Sequence, residues 1–222
     1  MSSPSAWSRS RRTVYRSVPA KLAAQVYEHC AATSPNASKF GVQAALLLGA
    51  LKKVGLAISP DVRVMVDLRR YLGAGLIDGN FFAGVPMKIH SDMTPTEITT
   101  TTRRTKESGR PLLNQMLTST RLGKPVPVPT ERTPGELPQV TFSFLGAPPT
   151  VQMLPFVTGE RPVYAASVEP AGPDGLTFVH GECAGQMILN ACFHDNVIDA
   201  DLMNEVLDLV VTDPLALLSE QR

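Results

Sequence analysis

Histidine is the side chain best suited to move protons near neutral pH, because imidazole titrates in that range. Three of the four histidines (His29 in a helical pattern, His90 at a strand end and His180 in a hairpin pattern) are isolated. An isolated histidine without an orienting partner provides no mechanism, so these three are interpreted as structural. His194 differs, because it ends a predicted strand, Asp195 follows it, and a capped helix comes next. His194 is therefore the candidate general base.

Cysteine chemistry is not indicated. Cys30, Cys183 and Cys192 form no CxxC pair and are odd in number, which argues against a disulfide framework and fits a reducing cytoplasm. Cys183, Cys192 and His194 are close in sequence, but thiols on adjacent strands are more often buried than metal ligands. No metal site and no bound cofactor are predicted.

Other catalytic patterns are absent from the sequence. There is no GxxxxGK[ST] loop, no GxSxG elbow and no HExxH motif. Three glycines, Gly73, Gly75 and Gly79, follow a predicted strand, but their spacing does not match a dinucleotide fingerprint and no helix follows them.

Charge and hydropathy exclude further classes. Lys and Arg total 21 against 20 Asp and Glu in 222 residues, so nothing points to nucleic acid or an anionic membrane surface. The basic start, residues 1–12, is predicted to be a disordered tail. The most apolar helical run, residues 44–51, is far below the ~20 residues of a membrane span, and no leader pattern is visible, so a cytoplasmic protein is expected.

The elements that must position these residues follow from periodicity and capping. Helices are predicted from Ser17, as N-cap with Pro19 in the first turn, and from Asn36 to Gly55. Asp92 or Thr94 is expected to cap a third helix, and residues 111–121 form another. Strands are predicted over residues 13–17, 62–68, 81–89, 140–145, 151–156, 163–168, 176–182 and 186–193.

The last third of the chain is dominated by strands. Residues 172–175, Gly-Pro-Asp-Gly, predict a turn that joins two of them as an antiparallel hairpin. Asp199 is expected to cap a closing helix through residue 211. Helices, paired strands, more helices and a run of strands predict an α+β sandwich.

Several segments together resemble the condensation superfamily of acyltransferases, which includes wax ester synthases, polyketide-associated acyltransferases and nonribosomal peptide condensation domains. Residues 62–69 (VRVMVDLR) resemble the strand that ends in "vdlR", and residues 79–82 (GNFF) resemble a following "GN-aromatic" step. Residues 141–146 (TFSFLG) resemble a later "S-x-L-G" strand. The order and spacing cover residues 13–218, most of the chain.

The resemblance implies a two-layer, chloramphenicol acetyltransferase-like sandwich with a mixed, mostly antiparallel sheet and helices on one face. In this superfamily two such halves enclose a tunnel. A thioester on coenzyme A or on a phosphopantetheinyl carrier protein enters from one side, and a hydroxyl or amine acceptor enters from the other. A histidine of an HHxxxDG motif in the N-terminal half acts as general base.

This chain has no HHxxxDG motif, which is what a C-terminal half would show. Residues 193–200 (FHDNVIDA) occupy the place where a chloramphenicol acetyltransferase subunit has that motif. Four residues separate His194 from Asp199, where the motif has three, and the extra residue would rotate the aspartate away from its position. The resemblance therefore implies a C-terminal subdomain over residues 13–222 that needs an N-terminal partner half.

Three further residues are candidates for substrate binding through the resemblance. Arg69 could form an ion pair near the tunnel or a plain salt bridge at the strand end. Asn80 could direct its amide at the substrate, or serve only the turn after Gly79. Ser143 could donate to a developing oxyanion, or bond locally within its strand.

Two other functions stay open. The first is a self-sufficient homotrimeric acetyltransferase that uses His194 across a subunit interface. The second is a non-catalytic module that binds an acyl carrier protein, which the arginines between Arg9 and Arg16 could attract electrostatically.

Overall fold

The computed structural model describes residues 10–72, 81–119, 136–148, 165–170, 172 and 174–220. Within them the strands are β1 (Arg11–Val18), β2 (Asp61–Asp67), β3 (Phe82–Lys88), β4 (Gln139–Phe144), β5 (Gly175–Cys183) and β6 (Gln186–His194). The helices are α1 (Ala20–Thr33), α2 (Lys39–Lys53), α3 (Pro95–Glu107), α4 (Arg110–Ser119), α5 (Ala200–Thr212) and α6 (Pro214–Ser219). A 3₁₀ helix, Leu68–Tyr71, follows β2.

The strands form one sheet in the order β1-β6-β5-β4-β2-β3. β4 pairs parallel with both β2 and β5, whereas the other three pairings are antiparallel. The predicted mixed, mostly antiparallel sheet is therefore confirmed. Because β4 comes late in the chain and inserts between β2 and β5, the sheet joins distant parts of the sequence.

One face of the sheet is apolar. Successive side chains of a strand point to opposite faces, and the valines of β2 all point to the same one. In β2 the exposure pattern switches residue by residue, with Val62, Val64 and Val66 buried. Phe142 and Phe178 extend the same layer on β4 and β5, and both are fully buried. Burial of this layer under the helices provides the main stabilisation of the fold.

Helix α2 is the centre of the helical layer. Every residue from Phe40 to Leu51 is buried, so the apolar run is a core helix enclosed by other elements. It packs against α3, α5 and α6. Within the described part of the chain, no helix combines the length and the apolarity that crossing a membrane requires.

Two helix starts differ from prediction. Ser17 does not cap α1, because it still belongs to β1, and the helix begins after Pro19 without a side-chain cap. Asn36 does not cap α2, because its φ of 65° places it in the preceding turn. Ser38 caps α2 instead, and its Oγ accepts a hydrogen bond from the Gly41 N–H at 3.1 Å.

Two other caps are confirmed. Thr94 and Glu97 form a reciprocal capping box at the start of α3. Asp199 Oδ1 accepts from the Asp201 N–H at 2.7 Å at the start of α5. These caps were predictable because a short polar side chain and the free N–H groups of the first turn are neighbours in sequence.

The strand predictions fail at two places. The described part of the predicted strand 163–168 is not in the sheet. The hairpin is formed by β5 and β6, and Ala184 and Gly185, both with positive φ, make its turn. The predicted strand 151–156 and the glycine segment before Phe81 lie outside the described residues.

The start of the sheet precedes the predicted boundary. β1 begins at Arg11, so Arg11 and Arg12 belong to the sheet and not to a tail. Residues 1–9 lie outside the described residues, and the division of the chain into tail and domain stays a prediction.

Candidate functional site

The second face of the sheet carries polar side chains in cross-strand register. Arg63 on β2 is paired with Thr141 on β4, and Thr141 is paired with Thr177 on β5. The row continues through Cys192 on β6 to Thr13 on β1. Because side chains alternate along a strand, all five lie on the face opposite the helical core. This polar row crosses that face from β2 to β1.

A cavity of about 650 Å³ lies over this polar row. Its lining includes Arg63, Thr141, Ser143 and Thr177 from the sheet. Helix α4 contributes Asn114 and Gln115 to the lining, and Asn114 Nδ2 donates to the Gly84 carbonyl at 3.4 Å. The volume falls in the range of small-molecule sites.

Residues 165–170 cross the same face beside the cavity. The Ala166 N–H donates to Asn190 Oδ1 at 3.0 Å, and the Val168 N–H donates to Cys192 Sγ at 3.5 Å. Val168 and Glu169 then line the cavity, and Glu169 forms an ion pair with Arg11. Two backbone N–H groups of this segment therefore donate to side chains of β6 and not to a neighbouring strand, which explains why alternation alone misassigned it.

Arg63 reaches the cavity because of a glycine. A Cβ placed on Gly84 would lie 2.6 Å from Arg63 Cδ, so the arginine stem lies against the bare backbone of β3. No carboxylate of the described residues forms an ion pair with Arg63, whereas Arg12 and Arg16 pair with Asp195 and Asp208, each at 2.6 Å. Arg63 is thus a cation of the cavity wall with its donors available.

Ser143 is the predicted site residue that the structure places in this cavity. It lies two residues along β4 from Thr141, on the same face. Ser143 is partly exposed as a residue. Its proposed role itself stays a prediction.

His194 is the last residue of β6 and does not line the cavity. It lies on the face of the polar row, two residues beyond Cys192, and is only 3% exposed. Its Nδ1 is 3.0 Å from Ser10 Oγ. The two aspartates after it have other partners, since Asp195 pairs with Arg12 and Asp199 caps α5. The structure therefore does not bring His194 and Ser143 together in one cavity.

Arg69 lies in the 3₁₀ helix after β2, outside the cavity lining. Its Nη1 donates to Asp67 Oδ2 at 3.0 Å, and its guanidinium lies 5.6 Å from the Phe81 ring and 5.8 Å from the Phe82 ring. Both side chains of the ion pair are about a third or more exposed, so the contact resembles a strand-end salt bridge. Asn80 lies outside the described residues.

The arginines at the start of the chain have partners within it. Arg11, Arg12 and Arg16 pair with Glu169, Asp195 and Asp208 respectively. Arg9 lies outside the described residues. Each of these partly exposed pairs offsets one positive charge of the described arginines, and the attraction of an acidic carrier protein stays a prediction.

His180 lies on the helix side of the sheet, among Phe40, Phe142 and Phe144. Gln43 Nε2 donates to the Tyr27 hydroxyl at 2.7 Å, so Gln43 Oε1 accepts from His180 Nδ1 at 2.8 Å. No described residue bonds His180 Nε2. Burial lowers the pKa of His180 to about 3, so the ring is neutral and structural, as predicted.

Acid should therefore destabilise the fold through His180. Its folded-state pKa of about 3 lies below the ordinary value of 6.5, so the unfolded chain binds the extra proton between these values. Stability is expected to fall below pH 6.5, by about 2 kcal/mol between pH 7.5 and pH 5. Urea unfolding between pH 7.5 and pH 5 measures this change in the free energy of unfolding. His180→Asn keeps a donor for Gln43 but does not titrate, so an equal pH dependence in that variant would contradict the assignment.

Sequence reasoning missed Arg63, Thr141, Thr177 and Asn114. For Arg63 a signal was present, because a lone arginine alternates with the buried valines of β2 and so belongs to the opposite face. The threonines had no such signal, since their position beside Arg63 depends on which strands pair.

Comparisons with known proteins place the fold. No protein-family model matches the chain, and no curated protein matches it. Among solved structures, it is similar to the trichothecene 15-O-acetyltransferase TRI3 from Fusarium sporotrichioides, at 15% identity and a TM-score of 0.63, over 96% of this chain and 47% of that one.

Two further solved structures are also similar. The epimerization domain of the third module of tyrocidine synthetase B matches at 11% identity and a TM-score of 0.58, over 99% of this chain and 50% of that one. A condensation domain from the enacyloxin polyketide synthase matches at 12% identity and a TM-score of 0.50, over 92% and 40%. The chain spans about half the length of the first two structures. The condensation-domain, chloramphenicol acetyltransferase-like fold is therefore confirmed.

Proposed function

We propose that this chain is the C-terminal half of a condensation-type acyltransferase. Such an enzyme moves an acyl group from a coenzyme A or carrier-protein thioester to a hydroxyl or amine acceptor, in lipid or polyketide and peptide biosynthesis. The observation that carries the proposal is the extent of the fold match, which includes nearly all of this chain but only about half of two matched structures.

The cavity on the polar face supports this function. Helices such as α2 cover one face of the sheet, whereas the other holds the crossing segment 165–170, part of α4 and a cavity with hydroxyl and guanidinium donors. An N-terminal half packed over this face would enclose the cavity as part of a tunnel. Ser143 would then donate a hydrogen bond to a thioester oxygen as it becomes an oxyanion.

The general base would come from the partner half. A base must reach the acceptor proton. Among the described residues, His194 is the one histidine on the cavity face. It is buried and does not line the cavity. Arg69 would hold the turn after β2, and Asn80 would contact substrate. The test has two alternative outcomes. One is a homotrimer in which His194 is the base, and the other is a non-catalytic module that binds a carrier protein.

Association with a partner half tests the proposal. Light scattering on this chain with an HHxxxDG-bearing N-terminal half, such as the product of an adjacent gene, is expected to give a 1:1 complex. Val168→Asp, at the cavity rim, is expected to weaken it about tenfold or more, because a buried unpaired carboxylate is costly. Leu215→Asp on α6 is the control, since Leu215 and Val168 are 37% and 36% exposed.

Two results would contradict the proposal. A stable homotrimer that ignores the N-terminal half would favour the self-sufficient acetyltransferase. A chain that binds only an acyl carrier protein would favour the non-catalytic module.

A further inference from the structure

We infer that the cavity binds a substrate bearing a carboxylate, which Arg63 recognises. The inference deepens the proposed function, because it names a class of substrate for the same cavity. The carboxylate belongs to the substrate that extends over β2 and β4, which is either the acyl group or the acceptor.

The first argument is the charge of Arg63. Its stem is half-buried against Gly84, and no carboxylate of the described residues pairs with it. Taking a guanidinium partly out of water is unfavourable unless an anion or several acceptors compensate. A planar guanidinium matches a carboxylate through two parallel hydrogen bonds.

The second argument is an unsatisfied hydroxyl beside it. Thr141 is 4% exposed, lines the cavity, and its Oγ1 has no hydrogen-bond partner among the described residues. Buried polar atoms are nearly always paired in native proteins, so an orphan in a cavity wall indicates a missing partner. Thr141 is in register with Arg63, so a small rotation of its hydroxyl would let both donate to one oxyanion group.

The third argument is charge balance, which favours a carboxylate over a phosphate. Arg63 is the one cationic side chain in the cavity lining among the described residues, and Glu169 at the rim is paired with Arg11. One guanidinium neutralises a single negative charge. A phosphate monoester carries up to two charges and would face Glu169 with one of them uncompensated.

A substitution at Gly84 tests the position of the Arg63 guanidinium separately from its charge. Because a Cβ there would lie 2.6 Å from Arg63 Cδ, Gly84→Ala must displace the arginine while it keeps the charge. A role that depends on the position of the guanidinium predicts loss of recognition in this variant as well.

The test uses succinyl-N-acetylcysteamine thioester and its methyl ester, titrated separately into the full chain and followed by NMR chemical shifts. The carboxylate form is expected to bind about tenfold more tightly. Arg63→Gln should remove that difference, and Gly84→Ala should reduce it. Arg103→Gln, an exposed arginine of α3 outside the cavity, should leave the difference unchanged.

Equal binding of acid and ester, or a difference that persists in both Arg63→Gln and Gly84→Ala, would overturn the inference. So would competition by inorganic phosphate as strong as that by succinate, which would indicate a phosphate site instead. Circular dichroism of each variant confirms folding, and if Arg63→Gln unfolds, Gly84→Ala decides. The assay needs neither partner nor turnover, so its failure is distinct from failure of the proposed association.

Discussion

Acyl transfer is expected only when this chain is combined with an HHxxxDG-bearing N-terminal half, and it is expected to depend on the partner's histidine. Replacing that histidine with alanine should lower the rate by about 10²–10⁴-fold, the usual contribution of a general base. His194→Ala in this chain should change the rate by less than about threefold. Transfer of a radiolabelled acyl group from coenzyme A, or release of free thiol, measures both.

The small effect expected for His194→Ala, compared with the partner's histidine variant, follows from the environment of His194. Its Nδ1 contacts Ser10 Oγ at 3.0 Å, and it lies at the end of β6 outside the cavity lining. The extra residue before Asp199 is consistent with this, because Asp199 serves as the cap of α5. If His194→Ala abolished transfer and the partner's histidine variant did not, His194 would be the base and the homotrimer would be favoured.

Thermal denaturation of His194→Ala is the necessary control. A buried histidine can also contribute to stability, and a loss of activity through unfolding would mimic a catalytic role. Activity is therefore compared well below the melting temperature of each variant.

Phe142→Ala is expected to have the largest effect on stability, a loss of about 3–5 kcal/mol. Phe142 is fully buried on β4, in the middle of the sheet. Its ring stacks on Phe178 at 5.6 Å and meets the edges of Phe40 and His180 at 6.1 and 5.6 Å. Removing it would leave a cavity between the sheet and α2 that close-packed neighbours fill only partly.

The matched control is Phe82→Ala, which removes the same atoms from a ring that is 48% exposed. It should cost about 1 kcal/mol or less, including its contact with Arg69. Urea unfolding of both variants gives the comparison. Similar losses for the two would show that the aromatic cluster around Phe142 does not stabilise the fold as described.

Local signals in the sequence determined much of the fold. The capping box at Thr94 and the cap at Asp199 were predictable, because each cap and the N–H groups it satisfies are at most three residues apart. The β-branched residues of β2 correctly predicted a strand, and its alternation leaves one face buried. At α2 the predicted cap Asn36 was wrong, because its positive φ places it in the preceding turn and Ser38 caps the helix instead.

Only the tertiary structure decided the composition of the site. Ser143 was a candidate from the sequence, but its neighbours Arg63 and Thr177 are far from it in sequence. They meet because β4 inserts between β2 and β5, and strand order depends on packing of the whole sheet over α2. The same reason explains residues 165–168, whose pattern resembles a strand while two of their N–H groups donate to side chains of β6. Periodicity thus determined which face each strand residue occupies, and strand pairing determined which residues share a cavity.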